Sequence, residues 1–244
     1  MKKPHLPPLV PPSALATIAV LAFACFSLAA VKAAENDPTF SCVSWGKLPY
    51  TDIYFSNGGE MERIEMTPGR RSELYSMQRS ETFAVYIKKD KPNGKPGWQL
   101  VGKTTFPQNA KRMLFLIAKG APKGNKKEGL PLSVLGIEDS LDTFPAGTFC
   151  FANFTRTVLN VSFGDVSERL SPREIRVFNA KMADKGGLMS LVIRDKKGTP
   201  VFARRLFGQP RSRELVFIVS PKKAEGKLKT IIIAEIVNVT PANN

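Results

Sequence analysis

The sequence predicts an all-β protein, a tandem pair of immunoglobulin-like or related β-sandwiches behind an N-terminal signal segment. Three observations carry this reading. Short apolar or alternating runs recur along the chain, separated by NGG, PGR, PNGKPG, DKKG and SPKKAEG, whose Gly, Asn and Pro residues supply the backbone angles that tight turns need. Neither half holds a long uninterrupted pattern of helical period. Local features also recur in the same order in the two halves.

Lys2 and Lys3 and a Pro-rich stretch precede the apolar run ALATIAVLAFACFSLAAV at 14–31. Small residues at its end, Val31 and Ala33, fit a cleavage site, so residues 1–33 read as a signal peptide. The run is 18 residues long, the lower limit for a bilayer span, which makes an uncleaved N-terminal membrane anchor the alternative. Cys25 reads as one more apolar member of it. The first sandwich is expected at 34–118, with strands near 49–56, 61–66, 72–76, 82–88, 98–104 and 112–118. Residues 119–130, KGAPKGNKKEGL, combine Gly, Pro and Lys between two apolar patterns and read as a basic linker. The second sandwich is expected at 131–240, with strands near 148–154, 157–163, 175–179, 188–194, 200–207, 213–219 and 229–239, followed by a C-terminal tail at 241–244. The stretches around 60–66 and 167–178 are amphipathic enough to fit short helices as well.

The best internal likeness joins FPQNAKRMLFLI at 106–117 to FGQPRSRELVFI at 207–218, each a Phe, a Gln, a basic turn and an apolar strand. Weaker ones join IYFSN at 53–57 to CFANF at 150–154, and MTP at 66–68 to LSP at 170–172. The runs LVFIV at 215–219 and TIIIAEIV at 230–237 fit central or interface strands, the latter at the junction of the two domains.

The 36 Lys and Arg against 21 Asp and Glu give a formal charge of +15. Removing Lys2, Lys3 and Lys32 with the signal peptide leaves 33 cations against 21 acids, or +12, so the basic character belongs to the mature chain. Its one His, His5, precedes the apolar run. An exported chain would hold no His and two cysteines, Cys42 and Cys150, which excludes Ser-His-Asp and Cys-His catalysis and a zinc site of the usual ligands. No metal or cofactor is expected. Export would permit a Cys42–Cys150 disulfide, with two buried free thiols as the alternative.

The strongest candidate site is cationic. Arg70, Arg71, Lys88, Lys89, Lys111, Arg112, Arg204, Arg205, Arg211 and Arg213 lie in repeated basic turns that a rigid sandwich could present to a polyanion. The alternative is a merely solubilising surface. Trp98 reads as packing over a core, or as a stacking residue beside Tyr86 and Phe106; Trp45 near Tyr50 could touch sugar. Asp139 and Asp142 could pair as acids or hold a cation, as could Asp52, Glu60, Glu62 and Glu65. The structural reading is that Asp139 and Asp142 cap and solvate the start of the second domain.

The sequence leads to an exported, noncatalytic binding protein or an envelope or extracellular assembly protein, located in the periplasm or outside the cell. Its expected partner is an anionic glycan, an acidic membrane surface or an envelope protein. No RNA-binding aromatic motif, zinc module or recognition helix points to nucleic acid. The alternatives are a His-independent glycan-active enzyme and a passive structural module.

Overall fold

The computed structural model describes residues 37–90, 94–120, 130–179, 186–220 and 228–237. The expected signal peptide with His5 and Cys25, most of the 119–130 stretch and the C-terminal tail lie outside them. Among the described residues no helix is long and apolar enough to cross a membrane.

The regular structure described is all strand. The first eight strands are β1 (Thr39–Trp45), β2 (Ile53–Asn57), β3 (Glu60–Ile64), β4 (Tyr75–Ser76), β5 (Thr82–Asp90), β6 (Pro96–Thr105), β7 (Arg112–Lys119) and β8 (Leu132–Glu138). The next eight are β9 (Phe149–Asn153), β10 (Leu159–Phe163), β11 (Val166–Leu170), β12 (Ile175–Phe178), β13 (Gly187–Arg194), β14 (Pro200–Gly208), β15 (Ser212–Val219) and β16 (Lys229–Ile236). They form four sheets, ordered β4-β1-β7-β8, β3-β2-β5-β6, β12-β9-β15-β16 and β11-β10-β13-β14. Advancing every strand number by eight converts the first pair of sheets into the second. The parallel pairing of β1 with β7 recurs as that of β9 with β15. Neither amphipathic stretch with a helical alternative is helical: the first forms β3, and the second forms β11 and β12 joined by a turn at 171–174.

The segments 106–117 and 207–218 end in β7 and β15, which hold the same place in the two sets. The MTP and LSP likeness also falls at equivalent places, in the connection after β3 and across the end of β11. The IYFSN and CFANF likeness joins β2 to β9, which are not equivalent. The strands flanking 119–130 are antiparallel partners, Lys119 opposite Leu132. That stretch therefore joins two strands of one sheet, and the expected domain boundary falls inside the first set.

Three apolar layers separate the four sheets. Phe40, Phe55, Phe83 and Phe115 fill the space between the sheets of the first set, with the Phe83 and Phe115 rings stacked at 3.8 Å. Phe149, Phe151, Phe163 and Phe178 do the same in the second. The middle layer joins Val43, Leu114, Leu116 and Ile137 to Cys150, Ala152, Leu215, Phe217 and Ile233, from the sheets that contain β1 and β9. These two inner sheets are covered on both faces, so β7 and β15 carry unbroken apolar runs. The outer sheets meet solvent on one face, and β5, β10 and β13 alternate accordingly.

One end of the middle layer is closed by charge. Arg112 begins β7 opposite Asp139, whose amide donates to the Arg112 carbonyl at 2.9 Å, and Arg213 stands opposite Glu235 across β15 and β16. The two pairs also exchange partners. Arg213 reaches Asp139 at 3.1 Å and Glu235 at 2.6 Å, and Arg112 reaches Asp139 at 3.2 Å and bonds Glu235. Arg71 has no counterpart in this exchange and touches both acids. Arg213 is fully buried, lies over the Phe144 ring and donates to the Asp139 and Phe144 carbonyls at 2.9 Å. Three of the ten candidate anion-binding residues, Arg71, Arg112 and Arg213, are thus spent on internal acids, and Arg213 is closed to any external anion. Asp139, expected to be solvated, is buried; Asp142 is exposed beside Lys111.

Burial alone would raise the Glu235 pKa, but the Arg71 charge and the hydrogen bonds from Arg112 and Arg213 outweigh it and hold the carboxyl below its usual value of 4.5. A carboxylate depressed in the folded state adds stability above its unfolded pKa, and loses it as pH falls through the folded one. The melting temperature is expected to hold steady between pH 7 and 5 as far as Glu235 is concerned and to fall below about pH 4.5. Calorimetric scans of the protein and of Glu235→Gln check this: the acid-side slope should be shallower in the variant, and equal slopes would remove Glu235 from the cause.

Cys42 and Cys150 are both free and buried. Cys42 points into the first core and Cys150 into the middle layer, on opposite sides of the sheet that contains β1, which is why they do not pair. Burial raises both thiol pKa values, that of Cys150 to about 12.

Candidate functional site

The outer face of β3-β2-β5-β6 gathers Trp98, Tyr54 and Tyr86 with cations. Phe83 and Val85 of β5 point into the core, so Tyr86 and Lys88 point outward. Register places Tyr54 opposite Tyr86, Tyr86 opposite Leu100, and Lys88 opposite Trp98. Arg63 pairs across from Tyr54 on the other side and holds Asp52 at 2.8 Å. Lys103 occupies the same face opposite Ala84. A register shift between Val85 and Tyr86 leaves Val101 as the extra β6 residue, and both it and Gly102 are buried. Gly102 is needed there, since a Cβ would come within 2.9 Å of Val85 and Val134.

Trp98 is not packed over a core. Its side chain is 46% exposed and meets the Tyr54 ring edge-on at 4.8 Å. Trp45 is the packing tryptophan, set against Phe154 and Phe217 in the middle layer at 5.8 and 5.0 Å.

Beside Tyr86 the sheet opens. β2 and β5 share two register pairs, where the equivalent β10 and β13 share four. The cause lies in Asn57. Its side chain accepts the Gln78 N–H at 2.8 Å and donates to Glu62 at 2.6 Å and to the Ser76 carbonyl at 3.4 Å, which ties segment 76–78 to the end of β2. The resulting cavity of about 330 Å³ has Phe55, Met77 and Phe83 in its wall and Gln78, Arg79, Ser80, Thr82 and Tyr86 among its polar lining. The Arg79 guanidinium is anchored on the Gln108 carbonyl. A second cavity of about 330 Å³, between Trp45, Leu116, Leu135, Phe154 and Val219, is mainly apolar. Amide, hydroxyl and guanidinium groups at the edge of an aromatic face suit a hydroxylated ring; the apolar cleft does not.

No family model and no curated protein matches this chain.

Of the remaining candidate cations, Lys88 and Lys89 lie on or beside this outer face, and Arg204 and Arg205 lie on β14 of the opposite outer sheet. Arg70, Lys111 and Arg211 are exposed near the inter-sheet ion cluster. Folding therefore divides the basic turns among three places. Sequence reasoning missed Tyr54, Arg63 and Lys103. The signal was present, because Tyr54 alternates with buried Ile53 and Phe55, as Tyr86 does with Val85.

Proposed function

We propose that the protein is an exported, noncatalytic binding protein, two immunoglobulin-like sandwiches behind a signal peptide, that takes an anionic glycan on the outer face of its first sandwich. The carrying observation is Trp98, almost half exposed, edge-on to Tyr54 and paired across the sheet with Lys88. An aromatic ring offers a sugar ring an apolar face, and the ammonium groups of Lys88 and Lys103 offer a carboxylate or sulfate its counter-charge. Gln78, Ser80 and Thr82 at the adjoining cavity supply hydrogen-bonding groups for ring hydroxyls. An enzyme of two opposed carboxylates finds little support in Asp139 and Glu235, since both are engaged by arginines.

Titration of tryptophan fluorescence with alginate and dextran sulfate tests the reading. Binding is expected to shift the Trp98 emission and to weaken with salt. Trp98→Ala should lower affinity about tenfold, near 1.4 kcal/mol, with an unchanged urea midpoint. Unaltered affinity in Trp98→Ala would remove the aromatic face from the site.

A further inference from the structure

The outer face of β11-β10-β13-β14 occupies the position equivalent to the aromatic face but carries different chemistry. Leu191 and Ile193 of β13 point into the second core, which turns Ser190 and Arg194 outward, and register brings Asn160, Ser162, Arg169 and Arg205 to the same side. No carboxylate occupies an outward strand position on this face. Glu168 and Glu174 are held by Arg176, and Asp195 is turned to the amides of Lys197 and Thr199 at 2.8 and 2.9 Å. The face is also braced. Arg194 donates to the Ser162 hydroxyl at 3.3 Å, which takes a second hydrogen bond from Ser167 at 2.9 Å, and the Asn160 amide donates to the Asp195 carbonyl at 3.1 Å.

Arg169 and Arg194 flank Asn160 in one cross-strand row, two strand spacings or about 10 Å apart. Arg205 stands one strand further, opposite Ser190. Leu188 and Phe207, exposed and opposite each other, lie next along β13 and β14 on this face. Three guanidinium groups set diagonally among hydroxyls and an amide, with no outward carboxylate between them, match an extended chain bearing sulfate or carboxylate groups, because each guanidinium fork can engage such an anion through two hydrogen bonds.

We propose that this face is a second binding site for an anionic glycan, and that the protein bridges two glycan chains. The layer order puts the two outer faces on opposite sides of the molecule, so one straight chain does not cover both. The site rests on the arginine geometry alone; the bridging rests also on the aromatic-face reading.

The test uses labelled dextran sulfate and three proteins: the unaltered protein, Trp98→Ala, and the triple variant Arg169→Gln, Arg194→Gln, Arg205→Gln. All three substitutions in the last are on solvent-facing positions, and an unchanged urea midpoint certifies its fold. The unaltered protein is expected to raise light scattering to a maximum near matched stoichiometry and lower it in excess, as a bivalent bridge does. The triple variant should bind at least tenfold more weakly at low salt, with a flatter salt dependence, and should not scatter, while its Trp98 emission still responds. A triple variant with unaltered affinity and salt dependence overturns the second site. So does binding of the unaltered protein to phosphatidylglycerol vesicles without binding to dextran sulfate. If Trp98→Ala scatters like the unaltered protein while the triple variant loses all binding, the arginine site stands and both the aromatic-face reading and the bridging fall.

Discussion

Asp139→Asn is expected to cost about 3–5 kcal/mol of stability, the range for breaking a buried ion pair by removing one partner. The Asp139 side chain is 1% exposed and meets Arg71, Arg112 and Arg213. Asparagine keeps the shape and removes the charge, which leaves three guanidinium groups to share Glu235. Arg213 suffers most. It is fully buried, and burial already lowers its pKa against the opposing pull of Asp139 and Glu235. Urea unfolding followed by circular dichroism measures the effect, and a loss under about 1 kcal/mol would mean that water reaches the cluster and screens it. Replacing all five charged residues together with apolar ones of similar volume should cost far less, because no charge is then left buried alone.

Phe217→Ala is expected to cost a further 3–5 kcal/mol in a separate variant, through the cavity it leaves. Phe217 stacks on Phe154 at 5.4 Å and meets Trp45 at 5.0 Å, at the centre of the layer between the two inner sheets. In a Trp98→Phe background, Trp45 is the remaining tryptophan and reports on this layer directly. Its emission should move to longer wavelength in Phe217→Ala as water enters, at a urea concentration below global unfolding. An emission unchanged up to the global transition, with a loss under about 1 kcal/mol, would show that the sheets close over the gap.

The fold was legible where a strand has one local rule to obey. β5 and β13 show it by alternation, and β7 and β15 by their runs of buried apolar residues. β1, β8 and β11 were not read as strands, each for a physical reason. β1 is TFSCVSW, whose Ser41 and Ser44 look like surface residues but are buried between two sheets, Ser41 beside the Arg71 guanidinium. β8 holds Gly136, which reads as a turn. Glycine is required there because a Cβ would come within 2.9 Å of the Met113 methyl and 3.2 Å of the Phe115 ring. β11 is a short, mostly polar edge strand, VSERL, and gives little periodic signal.

The sites were legible to a similar depth. Matched segments aligned Arg112 with Arg213 and so contained two of the five charges of the ion cluster. The acids that answer them come from the following hairpin arm, Asp139 just past the end of β8 and Glu235 within β16, a relation visible only once both hairpins are known. Asp139 in IEDSLDTF looks like a loop cap, and nothing local reveals that Arg213, 74 residues later, fills the space beside it. Trp98 was misplaced because a lone aromatic after Pro and Gly gives no indication of which face its strand will bury.

The parallel pairing of β1 with β7 sets an order in which the protein can form. A strand made early has its longest partner 73 residues further along the chain, Thr39 opposite Arg112, and the second set repeats the delay between β9 and β15. Such non-local pairing slows folding, typically to milliseconds or seconds, and leaves apolar strands unpaired in the interval. The ion cluster waits longest. Arg71, Arg112 and Asp139 all belong to the first set, while Arg213 and Glu235 arrive with β15 and β16, so a chain emerging from its N-terminus locks its two halves together only when its last described strand is in place.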